Sequence, residues 1–96
     1  MSQTNNTLSI TRSDVINLST EIADFIAPRL KIFESMEQYA PENMSDEQWH
    51  QILKKMIYSF DMLGSNHDFT TFTKDEWAAI HEGVDLFAKN ITHLWL

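Results

Sequence analysis

The chain contains no cysteine. A disulfide framework, a thiolate metal site and a thiol nucleophile are thereby excluded, so its 96 residues must hold together by packing. Glycine and proline occur twice each. With glycine only at Gly64 and Gly83, no Gly-rich loop is available to cradle a phosphate, and Pro28 and Pro41 leave room for long helices. Basic residues are also scarce: 7 Lys and Arg against 14 Asp and Glu give a formal net charge of -7. Gripping a nucleic-acid backbone depends on Lys and Arg displacing counterions, so DNA and RNA are not expected partners. Long apolar runs are missing too. No stretch approaches the roughly 18 residues that span a bilayer. The opening "MSQTNNTLSITR" lacks the basic start and apolar run of a secretory signal. The expectation is a soluble cytoplasmic protein without membrane partners, folded as one domain able to bury roughly 60 to 70% of its unfolded surface.

What is present is a repeated helix start. "MSDEQWHQI" and "FTKDEWAAI" share one template: an apolar residue, Ser or Thr, then Gln or Glu three positions on, followed by Trp. Ser45 with Gln48, and Thr73 with Glu76, are placed to form reciprocal capping boxes, each satisfying helix N–H groups that have no partner within the helix. Met44 facing Trp49, and Phe72 facing Trp77, supply the hydrophobic staple. Asp46, Glu47, Asp75 and Glu76 suit the positive end of the helix dipole. The duplication therefore reads as a folding instruction rather than a duplicated active site.

Apolar periodicity completes the three helices. The second carries Trp49, Ile52, Leu53, Met56, Ile57, Phe60 and Leu63, and Gly64 is expected to end it in a left-handed conformation. The third carries Trp77, Ile80, Val84, Phe87, Ala88, Ile91, Leu94 and Trp95, running nearly to the chain end, where Trp95 would close the core beside Trp49. The first is expected from a Ser13 cap to about Tyr39, burying Leu18, Ile22, Phe25, Ile26, Leu30, Phe33 and Met36. Pro28 lies inside it on the polar side and the apolar phase does not slip across it, which predicts a kink rather than a break. Short connections then make the fold all-α, a three-helix up-down-up bundle over residues 13–96. Residues 1–12 read as a disordered polar arm, docking of Leu8 and Ile10 on the bundle being the alternative.

Three segments, "IADFIAPRLKIF", "WHQILKKMIYSF" and "EGVDLFAKNITHLWL", resemble in that order a group of small uncharacterised proteins encoded by tailed bacteriophages. Those proteins share a Pro-Arg-Leu step in one helix, a Trp-initiated helix with Lys-Met-Ile, and a closing helix with Glu-Gly, Asp-Leu-Phe and a final Leu-Trp. The likeness spans Asp14 to Leu96. It implies a phage gene product in the host bacterial cytoplasm, where small phage proteins are commonly non-enzymatic binders of host components, and it brings no cofactor or catalytic residue.

The polar residues offer limited chemistry. Glu47 and His50 have the Glu-x-x-His spacing of helical di-iron sites, but the matching position after the second start is Ala78, so a metal site is not expected. Arg29 projects into the apolar arc of the first helix, and level counting sets it opposite Asp85, with His81 one turn away. An Arg29–Asp85 ion pair that fixes helix register is expected; a ligand or nucleotide-signal pocket on Arg29, His81 and Asp85 is the alternative. No nucleophile accompanies them, so an enzyme is not expected. Tyr58, Met62 and Leu86 project away from the core stripes and are the candidate binding surface, with Trp95 and Leu96 a second. The sequence thus reads as an adaptor or inhibitor that binds a host or phage protein, including one acting against host defence, and self-association stays open.

Overall fold

The computed structural model describes residues 9–36 and 39–96. Within them the protein is all-α: α1 (Arg12–Val15), α2 (Leu18–Ser35), α3 (Asp46–Met62) and α4 (Lys74–Asn90), with 3-10 turns at Phe69–Thr71 and Ile91–His93. The helix α3 lies along both α2 and α4, more extensively along α4. The molecule measures 46 × 38 × 20 Å, so it is about two helix diameters thick. Residues 1–8 of the arm, Leu8 among them, lie outside the described residues, whereas Thr11 and Arg12, also assigned to the disordered arm, cap and begin α1. Ile10 is exposed.

Both repeated starts form as the sequence predicts. Ser45 Oγ accepts from the Gln48 N–H at 3.1 Å while the Ser45 N–H donates to Gln48 Oε1 at 2.9 Å. Thr73 Oγ1 and Glu76 make the same exchange at 3.1 and 2.7 Å. Replacing Ser45 or Thr73 by alanine is expected to lower stability by about 1 kcal/mol each, read as a shift of the urea midpoint without a change of slope. Between the two helices Asp68 opens the 3-10 turn. The Thr70 hydroxyl, and then its N–H, donate to the Asp68 carboxylate and hold it below its ordinary value of 3.8.

Several boundaries differ from the sequence reading. Thr11, not Ser13, caps the first helical turn, because Asp14 stands three residues later and its carboxylate returns to the Thr11 N–H at 2.8 Å. The chain then turns at Ile16 and Asn17, and α2 starts afresh at Leu18. It ends at Ser35 rather than near Tyr39, since Met36 is extended with ψ 164. The α4 helix stops at Asn90 and tightens into a 3-10 turn, leaving Trp95 73% exposed instead of against Trp49; His93 meets the Trp49 ring edge-on at 6.4 Å. Gly64 does not take a positive φ. A Cβ there would lie 2.5 Å from Asp24 Oδ1, the movable tip of a side chain that accepts from the Ser65 N–H. The left-handed residue is Asn43, φ 70, in the preceding loop, where asparagine tolerates that region.

The core is built on α3. Trp49, Leu53, Met56 and Phe60 are buried on it, α2 contributes Ala23, Ala27 and Leu30, and Ile80 of α4 is buried as well. Where α4 crosses α3 the backbones nearly touch. A Cβ on Gly83 would overlap Ser59 Oγ and the Lys55 carbonyl, and the buried Ser59 hydroxyl donates to the Ile80 carbonyl at 2.7 Å. Phe60 and Phe87 pack edge to face at 4.9 Å beside this crossing.

The largest departure concerns which side of α2 is inside. Ala23, Ala27 and Leu30 face the core, whereas Leu18, Ile22, Phe25 and Met36, all expected inside, are 46 to 59% exposed. The buried seam is turned roughly 100° from the centre of the apolar stripe. Three polar anchors hold the helix in that rotation: Asp24 on the Ser65 N–H, Lys31 on Asp61 at 2.9 Å, and Glu34 on His50 at 3.1 Å. The two alanines let the backbone of α2 come close to α3. Of the residues expected inside, Leu30 is buried and Ile26 and Phe33 pack against the core.

Candidate protein-binding surface

Because α2 presents its alanines inward, its larger apolar residues form a continuous outer strip. Leu18, Ile22, Phe25 and Ile32 are 48, 46, 59 and 63% exposed. Arg29 lies among them: its guanidinium carbon sits 3.8 Å over the Phe25 ring, and Nη1 donates to the Phe25 carbonyl at 2.9 Å. Along one edge of the strip is a shallow cavity of about 220 Å³ lined by Phe25, Ile26, Arg29, Phe33, Phe87 and Leu94. These are the larger apolar side chains that α2 leaves in contact with water.

The polar cluster expected from the sequence does not assemble. Arg29 is carried outward with the strip and binds within its own helix; among the described residues it forms no ion pair. Asp85 is exposed on α4, and His81 meets the Trp77 ring edge-on at 5.9 Å. Arg29 still borders the cavity that Phe87 and Leu94 line, but its guanidinium is engaged by Phe25 within its own helix. His50 pairs with Glu34 across the α2–α3 contact rather than with Glu47 in its own helix. Among the described residues no group of three His, Asp or Glu converges as a metal site would require.

Of the three residues proposed as a binding surface, Tyr58 is 38% exposed and borders a shallow groove crossed by the Lys55–Glu82 ion pair at 2.9 Å. Met62 is half-buried, and Leu86 packs against the core. They therefore do not form one exposed patch. Trp95 and Leu96, the second candidate, are 73 and 63% exposed. Among the described residues no helix is long and apolar enough to cross a membrane.

The strip on α2 was missed as a site because an apolar helical stripe ordinarily faces the core. A signal was nevertheless present. Leu18, Ile22, Phe25, Arg29, Ile32 and Met36 are separated by steps of four, three, four, three and four, the 3.5-residue spacing of a coiled-coil seam. The residues that are buried, Ala23, Ala27 and Leu30, fall outside that register.

No protein-family model, curated protein or solved structure matches this chain.

Proposed function

We propose that this protein is a non-enzymatic binding domain that acts by engaging another polypeptide through the outer face of α2. The observation that carries the reading is the exposure of Leu18, Ile22, Phe25 and Ile32 on the strongest apolar stripe of the helix. These side chains are about half exposed, so burial against a partner would recover roughly half of the 1.5 to 3 kcal/mol that a fully exposed one gains. On this reading the three long helices form an up-down-up bundle, bent at Pro28 in the first, whose purpose is to hold that face outward.

The resemblance to small phage-encoded proteins gives this reading a setting: an adaptor or inhibitor of a host or phage protein in a bacterial cytoplasm, including an anti-defence role. Tyr58 and Met62 on α3, and the Trp95–Leu96 end, are secondary surfaces for the same activity. A small-ligand or nucleotide-signal pocket at Arg29 is less well supported. The cavity there is about 220 Å³, below the usual range for such ligands, and Arg29 Nη1 is already engaged by the Phe25 carbonyl.

The test is capture by the tagged full-length protein from host and phage-infected bacterial lysates. Wild type, Phe25→Glu with Ile32→Glu, and Tyr58→Ala with Met62→Ala are compared. A polypeptide retained by wild type and by the α3 variant, but lost at least tenfold from the α2 variant, is the expected result. Retention that survives the α2 change and fails with the α3 change would move the surface to Tyr58 and Met62.

A further inference from the structure

We infer that the outer face of α2 binds a second copy of this chain, in antiparallel orientation, with the two helices crossing level with Ala27. The inference rests on the reading of α2 as a binding face and names its occupant. The argument begins with the spacing. Steps of four, three, four, three and four read the same in both directions, so the seam is self-complementary about its midpoint. Two antiparallel copies set Leu18 against Met36, Ile22 against Ile32, and Phe25 against Arg29, each pair present twice by the two-fold symmetry.

Charge then selects the orientation. In a parallel pair Arg29 would lie against its own copy, two guanidinium groups in one apolar layer, which is repulsive and costly to desolvate. In the antiparallel pair each Arg29 lies over the Phe25 ring of the other copy. The contact already exists within one chain, where the guanidinium carbon is 3.8 Å from the ring centre, so the exchange conserves its chemistry. The flanking positions agree. Ser19, Ile26 and Phe33 line one side of the seam and Glu21, Pro28 and Ser35 the other, so the only flanking charge is Glu21, which antiparallel pairing sets near Ser35 rather than near another acid.

Area sets the strength. At their exposures the five apolar side chains of the seam offer on the order of 500 Å² per copy, about 1,000 Å² for the pair, which is where specific interfaces begin. The cavity bordered by Phe33, Phe87 and Leu94 adjoins the seam and gives the second copy a hole to fill. An area at this lower limit fits a reversible dimer rather than an obligate one.

Sedimentation velocity of the full chain from about 1 μM to 1 mM tests this. The expected result is a concentration-dependent shift from the 11.2 kDa chain toward twice that mass. Phe25→Glu and Ile22→Glu, at exposed positions that leave the helical circular dichroism unchanged, should weaken the dimer at least 100-fold. Orientation is read with engineered cysteines, which report cleanly because the chain has none of its own. Under mild oxidation Ile22→Cys mixed with Ile32→Cys should form the mixed disulfide, and neither should cross-link to itself. A monomer at every concentration, a dimer untouched by both glutamates, or self-linkage of Ile22→Cys would each overturn the inference. A strict monomer that still captures a polypeptide through Phe25 and Ile32 would overturn self-association alone and leave the binding reading standing. A monomer that captures nothing through that face would remove both.

Discussion

Gly83→Ala is expected to destabilise the domain by about 2 to 3 kcal/mol, although alanine in a helix interior ordinarily stabilises by about 1 kcal/mol over glycine. The reversal comes from the crossing of α3 and α4. The added methyl would overlap Ser59 Oγ and the Lys55 carbonyl, and the second of these is backbone, which no rotamer change can move aside. Relief requires the helices to separate. Separation stretches the buried bond from Ser59 Oγ to the Ile80 carbonyl, 2.7 Å in the native structure, and loosens Phe60 against Phe87. Equilibrium urea unfolding checks the sign directly. Gly83→Ala combined with Ser59→Ala should recover part of the loss, because it removes one of the two obstructing groups. A variant more stable than wild type would mean that the two backbones are not held in contact at this point.

Trp49→Ala should cost about 3 to 5 kcal/mol, lowering the melting temperature by on the order of 20 °C. Trp49 is 1% exposed at the first turn of α3 and belongs to the central cluster with Leu53 and Met56. His93, in the 3-10 turn after α4, rests edge-on against its ring, so truncation also releases the C-terminal segment. Trp49→Phe should be much milder. Among the described residues the Trp49 Nε1 group has no hydrogen-bond partner, so phenylalanine removes a buried donor that contributes nothing and sacrifices only volume. Thermal melts followed at 222 nm distinguish the two. Equal losses for Phe and Ala would show that the indole N–H has a partner after all.

The helix starts were legible because capping is local: Ser45 needs only Gln48, and Thr73 only Glu76, each within three residues. The inward face of α3 was legible for a related reason, since the middle helix buries the side its periodicity marks out. The rotation of α2 was not. Its inward face is chosen by Ala23, Ala27 and by anchors to Ser65, Asp61 and His50, which lie 16 to 41 residues from their partners, and no periodicity analysis weighs such pairs. The Arg29–Asp85 pairing failed with it, because level counting presumed that the apolar arc pointed inward. Gly64 illustrates another limit. A glycine after a helix suggests a positive φ, whereas Gly64 does not take one and lies beside the Asp24 carboxylate, a neighbour visible only once the helices are packed.

The placement of α3 between α2 and α4 also bears on how the chain acquires its structure. The tightest crossing joins Ser59 to Ile80 and Gly83, segments separated by about two dozen residues and one short loop, so its loop-closure entropy is small. Glu34 and His50 are only 16 residues apart, so the α2–α3 contact is as local as the α3–α4 crossing and either outer helix can pair with α3 first. A correctly docked α2 closes the side of α3 that Ala23 and Ala27 cover and gains three polar contacts with the rest of the chain, Asp24 to the Ser65 N–H, Lys31 to Asp61 and Glu34 to His50.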